Sequence, residues 1–359
     1  MSKQKKPIKY SKTQIDKAGN ILRSHKTNTL EYAEARAFVD QWRMSHERPM
    51  QRFNVTLRKK RKMIYQDAVV ARRLKRLQTI IDKISNRQQD MNLSRMQDVG
   101  GVRIVMQNIE QVYRMKRVYQ EGSFSYKLKN KLTRDYIEKP QKSGYRGIHL
   151  VFEFYNVPVS NENDQYWKSL QIEMQIRTEL QHAWATGVEI VSVMRGENLK
   201  AGQGDKGWLE LFRYISSIIA LVENKPTLLQ HRNLNPQDLF KQTTELAKRL
   251  EAVDKISAWV STISQVEGLE QSKRRKFHYA ILAIDTKEKK ILLFGFAKNK
   301  FTEATKKLKE LENEHPEYYP VLVAAGDINN LRHAYPNYLP SAIRLVEIIQ
   351  RIEDGLQPE

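Results

Sequence analysis

Strands alternating with helices through residues 69–177, a helical run before them and a smaller strand–helix set after residue 273 predict an α/β (α+β) protein. The expected architecture is a mixed β-sheet flanked by helices, followed by a small C-terminal α+β domain. Residues 12–62 read as helices because Tyr32, Ala35, Phe38, Val39 and Trp42 keep a helical apolar spacing. That stretch closes on the basic run LRKKRK (Leu57–Lys62). GVRIVMQ (Gly101–Gln107), GIHLVFEF (Gly147–Phe154) and SLQIEMQIR (Ser169–Arg177) read as strands, and helical stretches follow Gln78, Asn108 and Thr178. Residues 205–223 and 236–265 read as further helices, with Pro226, Pro236 and the polar stretch between them marking a linker. Beyond the basic knot KRRK (Lys273–Lys276), HYAILAID and KILLFGF are two strands joined by a charged turn. FTEATKKLKELENEH is an amphipathic helix, YPVLVAAG a third strand, and a helix from about Ser341 ends the chain. The expected division is therefore 1–235, a helical linker 236–272, and a domain 273–359.

The 359 residues contain no cysteine, which excludes disulfides, thiol catalysis and Cys-ligated zinc and suits a reducing cytoplasm. No apolar run is long enough for a membrane span, and the basic N-terminus has no apolar stretch behind it, so neither a membrane partner nor a secretory signal is expected. The net charge of +21 is unevenly spread. Residues 1–235 hold 43 Lys and Arg against 23 Asp and Glu, or +20, while 236–359 hold 19 against 18. A field of that size on one segment attracts polyanions, and nucleic acid is the natural partner.

Along the strand Leu170–Arg177, Ile172, Met174 and Ile176 point one way and Glu173, Gln175 and Arg177 the other. An acid, an amide and a guanidinium in a row suit a site-lining face. His149 and Glu153 share a face of the neighbouring strand, and Asp98 sits just before the strand that carries Arg103. Transfer of a phosphoryl or pyrophosphoryl group needs carboxylates to hold magnesium on the phosphates and cations to neutralise the charge that builds there. Asp98 and Glu173 could supply the first, Arg73 and Lys75 the second, and Glu173 is the candidate base for the acceptor hydroxyl.

In order and spacing, Arg73-x-Lys75 with Thr79 and Lys83, then Asp98-x-x-Gly101-x-Arg103, then DYIEKPQKSGYRGIH (Asp135–His149), EMQIRT (Glu173–Thr178) and QHAW (Gln181–Trp184) resemble the RelA/SpoT synthetase family over roughly residues 50–200. The resemblance implies a nucleotidyltransferase-like fold and an enzyme that moves the β,γ-pyrophosphate of ATP onto a ribose hydroxyl. It implies that Arg73, Lys75, Thr79, Lys83 and Arg103 bind ATP and that Asp98 and Glu173 hold Mg2+. Tyr145 would stack on the acceptor's base, with Lys142, His149, Gln175 and Arg177 on the acceptor side. There is no His-Asp dipeptide, so the metal-dependent hydrolase half of long family members is not expected.

Family members of this size act either on GDP or GTP, giving (p)ppGpp, or on the 3′-terminal adenosine of tRNA, which stops translation. The charge distribution favours tRNA, with Lys59, Lys60, Arg61 and Lys62, and Lys127, Lys129 and Lys131, as contacts. The small alarmone synthetase remains the alternative. The C-terminal stretch resembles the cysteine-free pseudo-zinc-finger domain of CapRel-type fused toxin–antitoxins, with Tyr335 and Tyr338 as a Tyr-x-x-Tyr element. That resemblance implies autoinhibition by the tail, relieved by a phage capsid protein in anti-phage defence. The oligomeric state is left open.

Overall fold

The computed structural model describes residues 10–24, 27–88, 90–154, 169–195, 197, 199, 202–257, 279–285, 290–297, 299–315, 318–324 and 339–358. They form two compact units, one from Met1–Ile104, Glu110–Arg134 and Ile148–Ile176, the other from Val105–Ile109, Asp135–Gly147 and Arg177–Glu359. The chain passes between the units several times.

The first unit opens with helices α1 (Lys12–Arg23), α2 (Leu30–Ser45) and α3 (Glu47–Arg61). Ser11 caps α1 through a reciprocal capping box with Gln14, and the Thr29 hydroxyl accepts from the Tyr32 amide at the start of α2. Strand β1 (Val69–Leu74) follows, then the short helix α4 (Leu77–Asp82), whose last turn widens into a π-helical stretch over Lys83–Arg87. Next come β2 (Gly100–Met106), α5 (Ile109–Glu121), β3 (Tyr126–Leu128), β4 (Arg134–Asp135), β5 (Ile148–Phe154) and β6 (Gln171–Thr178). The sheet runs in the order β1-β2-β6-β5-β3, with β4 paired to β5. It is the mixed sheet flanked by helices that the β/α alternation predicts. β5 and β6 are antiparallel, placing His149 opposite Gln175 and Val151 opposite Glu173. Ile148, Leu150, Phe152, Ile172, Met174 and Ile176 are buried, so the apolar faces read from the alternation are the core faces. Phe53 anchors that core, its ring 4.5 Å from Tyr126 and 5.1 Å from Phe152.

In the second unit β6 runs straight into α6 (Glu179–Arg195), followed by α7 (Lys206–Val222) and α8 (Pro236–Leu250). Asp205 caps α7, and Asn235 with Pro236 in the first turn starts α8. The chain then builds a three-stranded antiparallel sheet, β7 (Tyr279–Asp285), β8 (Lys290–Phe296) and β9 (Tyr318–Ala324), in the order β8-β7-β9. Helix α9 (Phe301–Glu314) buries Leu308 and Leu311 with Ile281 and Ala283. The last helix, α10 (Leu339–Glu353), places Leu345, Ile348 and Ile349 in one apolar core with Ala183, Val191 and Leu246 of α6 and α8. The sequence reading groups α10 with the strands before it; by packing it shares a core with the helices that follow β6. The reason is close approach: a Cβ on Gly187 of α6 would stand 2.1 Å from Leu345 Cδ2. Gly187→Val should therefore overpack this contact at a cost of roughly 1–3 kcal/mol, more than the few tenths gained in helix propensity. Calorimetry should show a lowered thermal midpoint; an unchanged one would contradict the packing.

Tyr335, Tyr338 and the KRRK run lie outside the described residues. Among the described residues, no helix is long and apolar enough to cross a membrane.

Candidate active site

The first unit gathers two linked polar clusters. The strand-end residue Lys75 is fixed by its backbone, its amide donating to Val99 O at 2.8 Å and its carbonyl accepting from Arg43 Nη1 at 3.3 Å. Arg43 is itself buried against Asp40 at 2.7 Å. From that position Lys75 Nζ reaches Asp98 Oδ2 at 2.6 Å, while Lys83 Nζ reaches Asp98 Oδ1 at 3.1 Å. Burial alone would raise the Asp98 pKa, but the two ammonium groups outweigh it and hold the carboxyl at about 2. Burial likewise pushes Lys75 below its ordinary value; Asp98 opposes the shift, and Lys83 and Arg73 add to it. Arg73 is exposed on β1 and Thr79 is half-buried on α4. The widened turn at the end of α4 is the part of the Lys83 placement that no spacing rule predicts.

The second cluster centres on Glu173, whose side chain is 13% exposed. Its Oε1 lies 2.9 Å from His149 Nδ1 and its Oε2 accepts from Gln175 Nε2 at 2.7 Å. Arg103 Nε donates to Gln175 Oε1 at 3.4 Å, bringing β2 into the same row. Burial raises the Glu173 pKa, yet His149 and Gln175 prevail and the carboxyl sits below its ordinary value. The Asp98 charge opposes that lowering.

The second unit holds the remaining predicted residues. Tyr145 stands on the loop between β4 and β5, and Arg177 at the end of β6. Arg177 Nη2 donates to the Tyr145 hydroxyl at 2.8 Å, and its guanidinium carbon lies 4.9 Å from the ring centroid. Arg177 thus covers one face of the ring. Gly144 before it has φ +96°, and a Cβ there would meet Trp184 at 3.0 Å and Ser216 at 3.1 Å, so only glycine fits. Lys142, three residues ahead of Tyr145, is exposed.

The basic residues proposed to contact nucleic acid divide. Lys59, Lys62, Lys127 and Lys131 are exposed and Lys60 is half-buried. Arg61 donates from Nη1 to Ala68 O at 2.6 Å, and Lys129 pairs with Glu153 at 3.1 Å. Those two spend part of their charge or geometry inside the protein. Sequence reasoning missed Arg43 and Asp40, which set Lys75, and also Arg146, Ser216 and Glu223 around the Tyr145 loop. Only Arg146 carried a local signal, its place in the glycine-bearing loop.

Residues 72–193 match the family model described as the region found in RelA / SpoT proteins. The GTP pyrophosphokinase YwaC of Bacillus subtilis (strain 168) is 30% identical over 119 residues, 32% of this chain and 52% of that protein. The GTP pyrophosphokinase YjbM of the same organism is 32% identical over 119 residues, covering 33% and 52%. The chain thus spans about half the length of the curated relatives it matches. Among solved structures, small alarmone synthetase 1 from Bacillus subtilis, bound to its product pppGpp, aligns with a TM-score of 0.42 at 21% identity, covering 52% of this chain and 94% of that one. Over residues 72–193, then, the chain is similar to the region found in RelA / SpoT proteins.

Proposed function

We propose that the chain is a pyrophosphokinase that moves the β,γ-pyrophosphate of ATP onto a ribose hydroxyl. The observation that carries this reading is the pairing, in one unit, of two lysines on Asp98 with a Glu173 carboxylate held ionised by His149 and Gln175. Lys75 and Lys83, with Arg73 near them, neutralise the charge that grows on the migrating group. Glu173 takes the proton of the acceptor hydroxyl, whose oxygen attacks the β-phosphorus. The bond from that phosphorus to the α,β-bridging oxygen breaks and AMP leaves. Among the described residues no group of three His, Cys, Asp or Glu side chains could hold a metal ion. Carboxylate, phosphate and water oxygens are the donors that magnesium takes, and Asp98 and Glu173 are the two carboxylates of these clusters. Asp98 and Glu173 would hold it, and it would add positive charge at the phosphates.

Two acceptors are supported by different observations. The names of the two relatives favour a guanine nucleotide, GTP. The +20 charge on residues 1–235 and the exposed Lys59, Lys62, Lys127 and Lys131 favour the 3′ end of tRNA. Silencing by residues 273–359 through Tyr335 and Tyr338, and release by a phage capsid protein, rest on the resemblance of the tail. Incubating the chain with γ-labelled ATP and either total tRNA or guanine nucleotides tests the reading. Label in neither acceptor removes it; label in one assigns the acceptor.

Tyr145 offers a sharper check. A stacked base would take the face of the ring opposite Arg177, and such stacking is worth roughly 1–3 kcal/mol. Tyr145→Ala should therefore lose about ten- to a hundredfold in kcat/KM for the acceptor. Tyr145→Phe should lose several-fold at most, through the missing bond from Arg177. Equal losses would assign the role to the hydroxyl.

A further inference from the structure

Tyr145 and Arg177 each have a neighbour in sequence that is tied to the C-terminal half of α7 or to the residue that ends it. Next to Tyr145, the buried Arg146 donates from Nε to Ser216 O at 3.2 Å and to Ser216 Oγ at 3.0 Å. Its Nη1 reaches Ile137 O at 3.2 Å and its Nη2 reaches Pro226 O at 2.9 Å. The Ser216 hydroxyl in turn donates to Gly144 O at 2.6 Å, so the loop is held on both sides of Tyr145. Next to Arg177, the Thr178 hydroxyl donates to Glu223 Oε1 at 2.5 Å, and Gln181 Nε2 donates to Glu223 Oε2 at 2.7 Å. Glu223 is the residue that ends α7. Arg146 and Glu223 also attract each other electrostatically.

We propose that Arg146 and Glu223 are positioning residues: Arg146, bonded from its loop to Ser216 of α7, and Glu223, at the end of α7, fix the Tyr145–Arg177 pair in the geometry that receives the acceptor. This rests on the reading of that pair as the acceptor's binding site. Neither residue needs to touch substrate. Arg146 satisfies three carbonyls that would otherwise leave the loop free to shift, and Glu223 anchors the first turn of α6 one residue beyond Arg177. A displacement of about 1 Å in a substrate-positioning group can cost on the order of a hundredfold in rate, so the clamp acts on the acceptor without contacting it. Lys75, Lys83 and Asp98 have separate anchors, and the ATP side should not feel the change.

Steady-state kinetics on the full chain, with GDP and tRNA as parallel acceptors, tests this. Glu223→Gln and Thr178→Val should each raise the acceptor KM by at least about tenfold, since each loses at least one charge-assisted bond of roughly 1.4 kcal/mol. The ATP KM should stay at the parental value. Thr178→Ser, which keeps the hydroxyl, should behave as the parent, and Arg146→Lys should resemble Glu223→Gln. If circular dichroism shows that the Arg146 variant has lost its fold, Glu223→Gln and the Thr178 pair carry the decision. Parental acceptor KM in folded Glu223→Gln and Thr178→Val, or equal rises for both substrates, overturns the proposal. Tyr145→Ala separates the two layers. If it raises the acceptor KM and Glu223→Gln does not, positioning fails and the acceptor site stands. If Tyr145→Ala itself leaves the acceptor KM unchanged, the acceptor reading fails and the positioning proposal with it.

Discussion

Purified Glu173→Gln protein will transfer label from ATP at least about a hundredfold more slowly than the parent, the cost of roughly 3 kcal/mol or more that follows from removing a charge acting in the transition state. The exchange keeps the shape of the side chain. An amide oxygen can still accept from Gln175, and His149 Nδ1 can change tautomer to meet an amide N–H, so both contacts at 2.9 and 2.7 Å have a neutral counterpart. Circular dichroism and the thermal midpoint should therefore remain near parental while the label stays on ATP. What disappears is the negative charge that, in the proposed mechanism, takes the acceptor's proton. A folded variant with a rate within about threefold of the parent would falsify the assignment of Glu173.

The Asp98→Asn chain should lose transfer by a similar factor, on the order of a hundredfold, but with a different signature in binding. Asp98 neutralises Lys75 and Lys83 at 2.6 and 3.1 Å. Without it two ammonium groups face the nucleotide phosphates uncompensated, so metal-free ATP should bind at least as tightly as to the parent. The additional affinity that magnesium confers should shrink, because one of two carboxylates is gone. Calorimetric titration of ATP with and without magnesium reads both effects. If the magnesium contribution is the same in Asp98→Asn as in the parent, Asp98 is a structural counter-ion to the lysines and no more.

The two predictions draw on different kinds of information. Period-two alternation over Leu170–Arg177 and Ile148–Phe154 suffices to sort Glu173, Gln175 and His149 onto one face and the isoleucines onto the other, because successive side chains in a strand must point to opposite sides. The same local rules locate the helices of residues 12–61, the β7–β8 hairpin and the amphipathic α9. Strand β1 carries a weaker signal: VVARRL has no alternation, and its polar half is exposed or half-buried. β3 and β4, of three and two residues, are too short to carry a pattern at all.

The sequence by itself determined which residues could carry chemistry, since charge type, strand phase and motif spacing are local properties of the chain. Only the tertiary structure decided their partners. Asp98 lies between lysines 23 and 15 residues away, Arg146 reaches carbonyls from 9 to 80 residues distant, and α10 comes back to pack on Gly187 of α6. Periodicity reports which way a side chain points and says nothing of what the rest of the chain brings to meet it. A carboxylate's pKa and a guanidinium's bonds are set by burial and by neighbours remote in sequence, and these exist only once the chain has packed.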